Sequence, residues 1–451
     1  MKTTRAMFGE IYTFTQNNMK SVRDNLGITA VIPDEYTFHF SGFKLPPELT
    51  ENGPLAGWRD RSRELARHQE VYSLSCDAWP VFPGIAGQCD DRNLQILIEE
   101  ADKLGMEVWG HIGLWGYCGD IMPEIGFKQV TGEPLQDSGL YWGNPLCPNN
   151  DELIKWTGDC LAYAASHYGI KAMDTDHGHF PPAVNLDGVF GCTCAFCAEK
   201  AARWGYDFDA MKGAVKKLKS AVSAVTSARF TLAAGKSENF LQFLVNLAEE
   251  DALNNWFAFR MHSVNNHMAT LTHRVHKSVG NDCPVDSHYM PPSIAALSGQ
   301  AIPGWEKTID RFTPGWGAVV GWDQTPALSI AAIARRFNAV CGLSPSLCLP
   351  ELVRLFGYED AGILPLDVDQ LEALDYNINK AMLHEIRLAK TQLSEDMPSL
   401  FPFRLAAYDE ASQACAQEVL ELGQGSFVFS DPSALTNLAK LSRFLKTNNH
   451  L

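Results

Sequence analysis

Gly169-Ile170-Lys171-Ala172-Met173-Asp174-Thr175-Asp176-His177-Gly178-His179 runs a short apolar strand pattern straight into four titratable side chains. Side chains alternate across a strand, so Asp174 and Asp176 share one face and Thr175 takes the other. Just upstream, residues 151–168 carry apolar side chains at helical spacing, with Asn150 as the N-cap and Gly169 as the stop. Helix, glycine, strand and then polar residues at the strand's C-terminal end is an α/β succession. In a (β/α)8 barrel that end is where the chemistry sits.

The same succession recurs on both sides. Strands are expected over residues 7–13, 28–32, 106–112, 284–290, 317–323, 401–408 and 426–430, besides the acid-bearing one. Helices are expected over 17–26 and 91–104, closed by Gly27 and Gly105, and a last one opens at Asp431-Pro432 and runs to Lys446. Eight strands in alternation predict an α/β fold, a (β/α)8 TIM barrel with long βα-loop elaborations over its C-terminal face. It would form a single catalytic domain over 1–451, with loop insertions at about 33–90, 113–148 and 177–236. No Gly-x-Gly-x-x-Gly follows the first strand, which removes the dinucleotide-binding alternative.

Composition narrows the partners. The net charge of -16 argues against nucleic acid and anionic membrane surfaces, both of which need a basic face. The N-terminal residues lack the apolar core of a secretory signal, and no run of eighteen apolar residues occurs. The expectation is a cytoplasmic protein whose 12 cysteines are reduced thiols or metal ligands.

Three groups of residues carry chemistry. Asp174 and Asp176 converge with His177 and His179 at one strand end, and Asp323 follows Trp322 at the end of the expected sixth strand. Opposed carboxyls suit glycosidic bond cleavage, one protonating the leaving oxygen and the other attacking or activating water. Each Asp also has a plainer reading as a helix cap or ion-pair partner. Next, Glu10, Trp109, His111, Trp115, Trp142, His177, His179, Asp286, His288, Tyr289 and Trp322 lie at or near strand ends, as substrate-binding candidates. Indole faces stack on sugar rings, and Asp and His bind hydroxyls. Asp34, Glu35, Asp409 and Glu410 also end strands. Finally, Cys192, Cys194 and Cys197 can share a structural zinc if a fourth ligand, Cys147 or a nearby histidine, comes from elsewhere.

Leu146-Cys147-Pro148-Asn149, the helix to Tyr168, Gly169 to Asp176 and the Cys-x-Cys-x-x-Cys helix resemble a recurring stretch of glycoside-hydrolase-like (β/α)8 proteins. The resemblance covers about residues 90–290 in detail and the rest in layout. Retaining α-galactosidases and α-glucosidases are similar in placing a nucleophilic Asp at the fourth strand's end and an acid/base Asp after the sixth. That resemblance implies Asp174 or Asp176 as nucleophile and Asp323 as proton donor. The chain departs from the tight Lys-x-Asp of the α-galactosidases, because Lys171 stands three and five positions before the two acids. The choice between them therefore stays open. The resemblance also implies a carbohydrate substrate and no cofactor required for catalysis.

The expected function is a glycoside hydrolase acting on an oligosaccharide or glycoside. Two rivals remain. One is a metal-dependent barrel hydrolase, aldolase or isomerase using Asp174, Asp176, His177 and His179 as ligands. The other is a sugar-binding barrel without catalysis.

Overall fold

The structure is a computed structural model. It describes residues 3–9, 11–33, 43–54, 91–114, 119, 122–135, 144–181, 186–315, 322, 324–359, 361, 367–373, 375, 377–403, 410–429, 435, 437–448 and 450–451.

The strands are β1 (Arg5–Gly9), β2 (Ala30–Pro33), β3 (Glu107–Val108), β4 (Gly110–Gly113), β5 (Met173–Asp176), β6 (Val285–Tyr289), β7 (Thr313–Pro314), β8 (Phe401–Pro402) and β9 (Phe427–Phe429). Every pairing is parallel, in a five-stranded sheet ordered β3-β2-β1-β9-β8 and a four-stranded sheet ordered β4-β5-β6-β7. Helices intervene along the chain, as parallel connections require. The result is a mixed α/β architecture whose ladders, among the described residues, fall into two sheets and form no closed ring. Two features link the sheets. β3 and β4 are one chain path broken at Trp109, and Phe312 forms an isolated parallel bridge to Ser399.

Local chemistry explains the element that delivers the site. Helix Asp151–Tyr168 starts where the Asn150 carboxamide oxygen accepts hydrogen bonds from the Glu152 and Leu153 amides, at 3.0 and 3.3 Å. Such a cap is worth about 1 kcal/mol. It ends at Gly169, whose φ of 65° a side chain would resist, and the chain then turns into β5. One face of this helix packs against the long helix Ala252–Val279, which buries Trp256, Phe259, Val264, Met268 and Leu271. None of the described helices is long and apolar enough to cross a membrane.

Strand parity sorts the core. Ala6, Phe8, Ala30, Ile32, Trp109, Ala172, Leu400 and Val428, drawn from both sheets, form one small buried cluster, while the helix-facing side chains join a much larger one. Along the chain paths through β4 and β5 the face shared with that small cluster changes from apolar to polar: Trp109 then His111, Ala172 then Asp174 and Asp176.

Most expected strands and helices fall within a few residues of an observed element. The expected sixth strand, 317–323, does not: β7 is found earlier, at Thr313–Pro314, and 317–321 and Asp323 lie outside the described residues. The final helix begins at Leu438, later than Asp431-Pro432 predicts, and residues 431–434 are likewise outside.

Candidate active site

Register places the polar side chains. His111 pairs with Asp174 across β4 and β5, Gly113 with Asp176, and Asp174 with Asp286 across β5 and β6. His111, Asp174 and Asp286 therefore form a row across three strands. Asp176 and His288, two residues further along their strands, sit one layer nearer the C-terminal ends.

Asp174 is fully buried. Its Oδ2 accepts from His111 Nδ1 at 2.6 Å and from His288 Nε2 at 3.1 Å. Burial opposes its ionisation, but the His288 charge and the two imidazole hydrogen bonds outweigh that cost. They hold the carboxyl well below the usual range. Asp176 keeps 21% of its side chain exposed; Oδ2 meets His177 Nε2 at 3.0 Å and Oδ1 meets His288 Nδ1 at 3.1 Å. Oδ1 also accepts the His177 amide at 2.7 Å. Here too burial is overcome by the neighbouring histidines, and the group is held well below its ordinary value.

His288 ties the layers together. Both ring nitrogens face carboxylate oxygens, an arrangement only the imidazolium fully satisfies. Burial works against that charge, yet Asp174 and Asp176 raise the group well above the usual imidazole range. His179, by contrast, is buried with Nδ1 2.8 Å from the Phe180 carbonyl, and burial lowers it to about 4, so it is neutral at pH 7.

Beneath this layer, Asp286 accepts from Arg311 Nε at 2.6 Å and from Thr313 Oγ1 at 3.0 Å. The Arg311 guanidinium in turn lies 3.8 Å from the Trp109 ring centroid. Burial raises Asp286 to about 8, with the Asp174 charge adding to the rise and Arg311 opposing it. Asp174 Oδ1 and Asp286 Oδ1 find no donor among the described residues, and a proton on Asp286 would supply one.

The expected site residues separate into groups. His111, Asp174, Asp176, His177, Asp286 and His288 form one connected network. His179 lies beside it, its ring 5.8 Å from that of His177. Three aromatic residues expected at the ligand are packed in the core instead. Trp109 is 1% exposed and stacked under Arg311. Tyr289 follows His288 and so takes the opposite face, against Trp305 and Phe312. Trp322 is fully buried and donates its indole N–H to the Tyr289 carbonyl at 2.8 Å. Glu10, Asp34, Glu35, Trp115, Trp142, Asp323 and Asp409 lie outside the described residues. Arg311 and Thr313 are the members that the sequence reading missed. Their signal was the two-residue spacing into Thr313-Pro314, too short and too polar to read as a strand.

Two groups have metal-ligand geometry. One ligand atom from each of His111, Asp174 and His288 lies within 4.8 Å of the others, and the same holds for Cys147, Cys192, Cys194 and Cys197.

No family model and no curated protein matches the chain. Solved structures do. The glycoside hydrolase domain of PgaB (BpsB) from Bordetella bronchiseptica is 11% identical with a TM-score of 0.48, covering 99% of this chain and 98% of that one. The catalytic domain of β-amylase from Paenibacillus polymyxa is 9% identical with a TM-score of 0.46, covering 98% of each. A β-galactosidase from Halorubrum lacusprofundi is 14% identical with a TM-score of 0.38, covering 70% of this chain and 40% of that one. These TM-scores stay below 0.5 and by themselves assign no activity. These three solved structures are glycoside hydrolases.

Proposed function

We infer that the chain is a glycoside hydrolase on a (β/α)8 barrel, cleaving a glycosidic bond in an oligosaccharide or glycoside by carboxylate acid/base catalysis. One observation carries the reading. Asp176 is a partly exposed carboxylate at the C-terminal end of β5, held ionised by His177 and His288 above a buried network. An anion prepared in this way suits attack on, or stabilisation of, an anomeric carbon with oxocarbenium character. Asp174 is a positioning residue in this scheme: fully buried, it fixes His288, which fixes Asp176. That favours Asp176 over Asp174 as nucleophile. Asp323 is the proposed proton donor, on the sequence argument alone. The test is a panel of nitrophenyl glycosides of both anomers, assayed with the wild type and with Asp176→Asn. Cleavage by the wild type that falls at least a hundredfold in the folded variant supports the reading; unchanged turnover removes it.

A second reading has its own observation. His111, Asp174 and His288 are close enough to share a divalent cation, and the His288 Nδ1 contact with Asp176 is the kind of carboxylate support that metal-bound imidazoles use. A metal-dependent hydrolase, aldolase or isomerase would lose activity to a chelator and regain it with one added cation.

A further inference from the structure

The chain also carries a second, chemically distinct cluster, made of four cysteines. Cys192, Cys194 and Cys197 lie where the loop after β5 enters helix Ala195–Trp204, and Cys147 lies just before the Asn150 cap of helix Asp151–Tyr168. Folding brings these separate segments together: the Cys194 and Cys147 sulfurs are 3.3 Å apart, Cys147 and Cys197 3.6 Å, and Cys194 and Cys197 3.8 Å. All four sulfurs lie within 4.8 Å of one another.

Those separations have a chemical meaning. A tetrahedral ion with metal–sulfur bonds of about 2.3 Å sets its sulfurs about 3.8 Å apart. A disulfide needs about 2.05 Å. An iron–sulfur cluster gives thiolates to separate irons and spreads them wider than a single ion does. The surroundings also suit an anionic centre. The Lys128 amide donates to Cys192 Sγ at 3.4 Å, and the Asn149 carboxamide donates to Cys197 Sγ at 3.3 Å.

An independent observation comes from the long helix Ala252–Val279. Arg260 there is fully buried, and its guanidinium donates to the carbonyls of Gly188, Gly191 and Leu297. None of the hydrogen-bond partners of this guanidinium among the described residues is a carboxylate, and the Gly191 carbonyl that it holds is adjacent in the chain to Cys192. A buried cation needs a counter-charge. Four thiolates around one dication carry two net negative charges, which would supply it.

We propose that Cys147, Cys192, Cys194 and Cys197 hold one structural zinc ion that clips the loop after β5 to the start of the helix feeding β5. All four positions are filled by protein sulfur, so the ion binds no substrate. It fixes both ends of the segment that carries Asp174, Asp176, His177 and His179. The proposal is independent of the glycosidase reading, because metal content is read without any substrate.

The test is elemental analysis of the full chain, purified under mild reductant without chelator. One zinc per chain is expected, falling below a tenth in Cys147→Ser and in Cys194→Ser. Cys341→Ser, a half-buried thiol outside the cluster, should keep its zinc. Because a serine variant can fail to fold, a second measurement uses the wild type. Zinc is exchanged for cobalt, and the absorption spectrum should show thiolate-to-cobalt charge transfer with the strong d–d bands of a tetrahedral all-sulfur site, at one equivalent. Folded wild type that carries less than a tenth of a zinc and takes up no cobalt would overturn the proposal. So would an intact mass lighter by four hydrogens, the signature of two disulfides.

Discussion

His288→Gln isolates the link between the two acid layers. In the wild type, the imidazolium donates from Nε2 to Asp174 and from Nδ1 to Asp176, each at 3.1 Å. Hydrogen bonds with an ionised partner are worth roughly 1.5–3 kcal/mol each, so the pair contributes a gross ~3–6 kcal/mol. A glutamine amide reaches one carboxylate, is neutral, and leaves the other anion short of a partner. Breaking a buried pair in this way costs about 3–5 kcal/mol, and the retained hydrogen bond puts the expected loss at the lower end, about 3 kcal/mol. The loss depends on pH, with a definite sign. His288 is raised above its unfolded value of about 6.5, so its contribution is complete below that pH. It fades as pH rises through the folded value. Asp174 and Asp176 are shifted the other way. Their contribution is complete above about 4 and is lost as pH falls through their lowered values. Urea unfolding followed by tryptophan fluorescence across pH should therefore give a stability plateau for the wild type, bounded by both limbs. The gap between wild type and His288→Gln should be largest at mildly acidic pH and should narrow in alkaline buffer. A gap that is constant across pH, or ring-nitrogen NMR shifts of a neutral His288 at mildly acidic pH, would refute the imidazolium bridge.

Arg311→Met should destabilise by about 3–5 kcal/mol, because it strands Asp286 and removes the cation over Trp109; adding Asp286→Asn should recover part of the loss in denaturant titrations. Glu385 is fully buried, accepting from Tyr358 Oη at 2.6 Å and Ser293 Oγ at 2.7 Å, and burial raises it to about 7. A raised carboxyl favours the fold at low pH and costs stability as pH climbs from about 4.3 to the folded value. Glu385→Gln should thus flatten that slope and gain up to roughly 4 kcal/mol above neutrality; an unchanged pH profile in thermal unfolding would contradict this. Asp176→Asn should lower kcat on a cleaved glycoside by about 10³-fold, roughly 4 kcal/mol of barrier, with a melting temperature that circular dichroism shows changing far less than for His288→Gln.

What was legible in the sequence follows from what is local. Helix Asp151–Tyr168 was readable to the residue because Asn150 and Gly169 mark its ends by side-chain and backbone chemistry alone. Asp174 and Asp176 were readable as a pair because strand alternation needs no tertiary information. The same rule, applied one strand later, would have corrected the reading of Tyr289: Asp286 and His288 share a face, so Tyr289 must take the other, among Trp305 and Phe312. Arg311-Phe312-Thr313 was missed for a different reason. A strand whose inward residues bind Asp286 lacks the apolar run that marks buried parallel strands, so polarity hid it. The fourth thiol was one of two alternatives because Cys147 is 50 residues from Cys197, and only folding chooses between it and a histidine. Register is the least readable quantity, and the site depends on it most. His111 opposite Asp174 opposite Asp286 stacks two acids between a histidine and an arginine; sliding β6 by one residue would put Val285 or Ser287 in that row and turn His288 away from both acids. The site's charge state is therefore a property of strand alignment, which is why substitutions at Arg311 and His288 test it more sharply than substitutions at the acids alone.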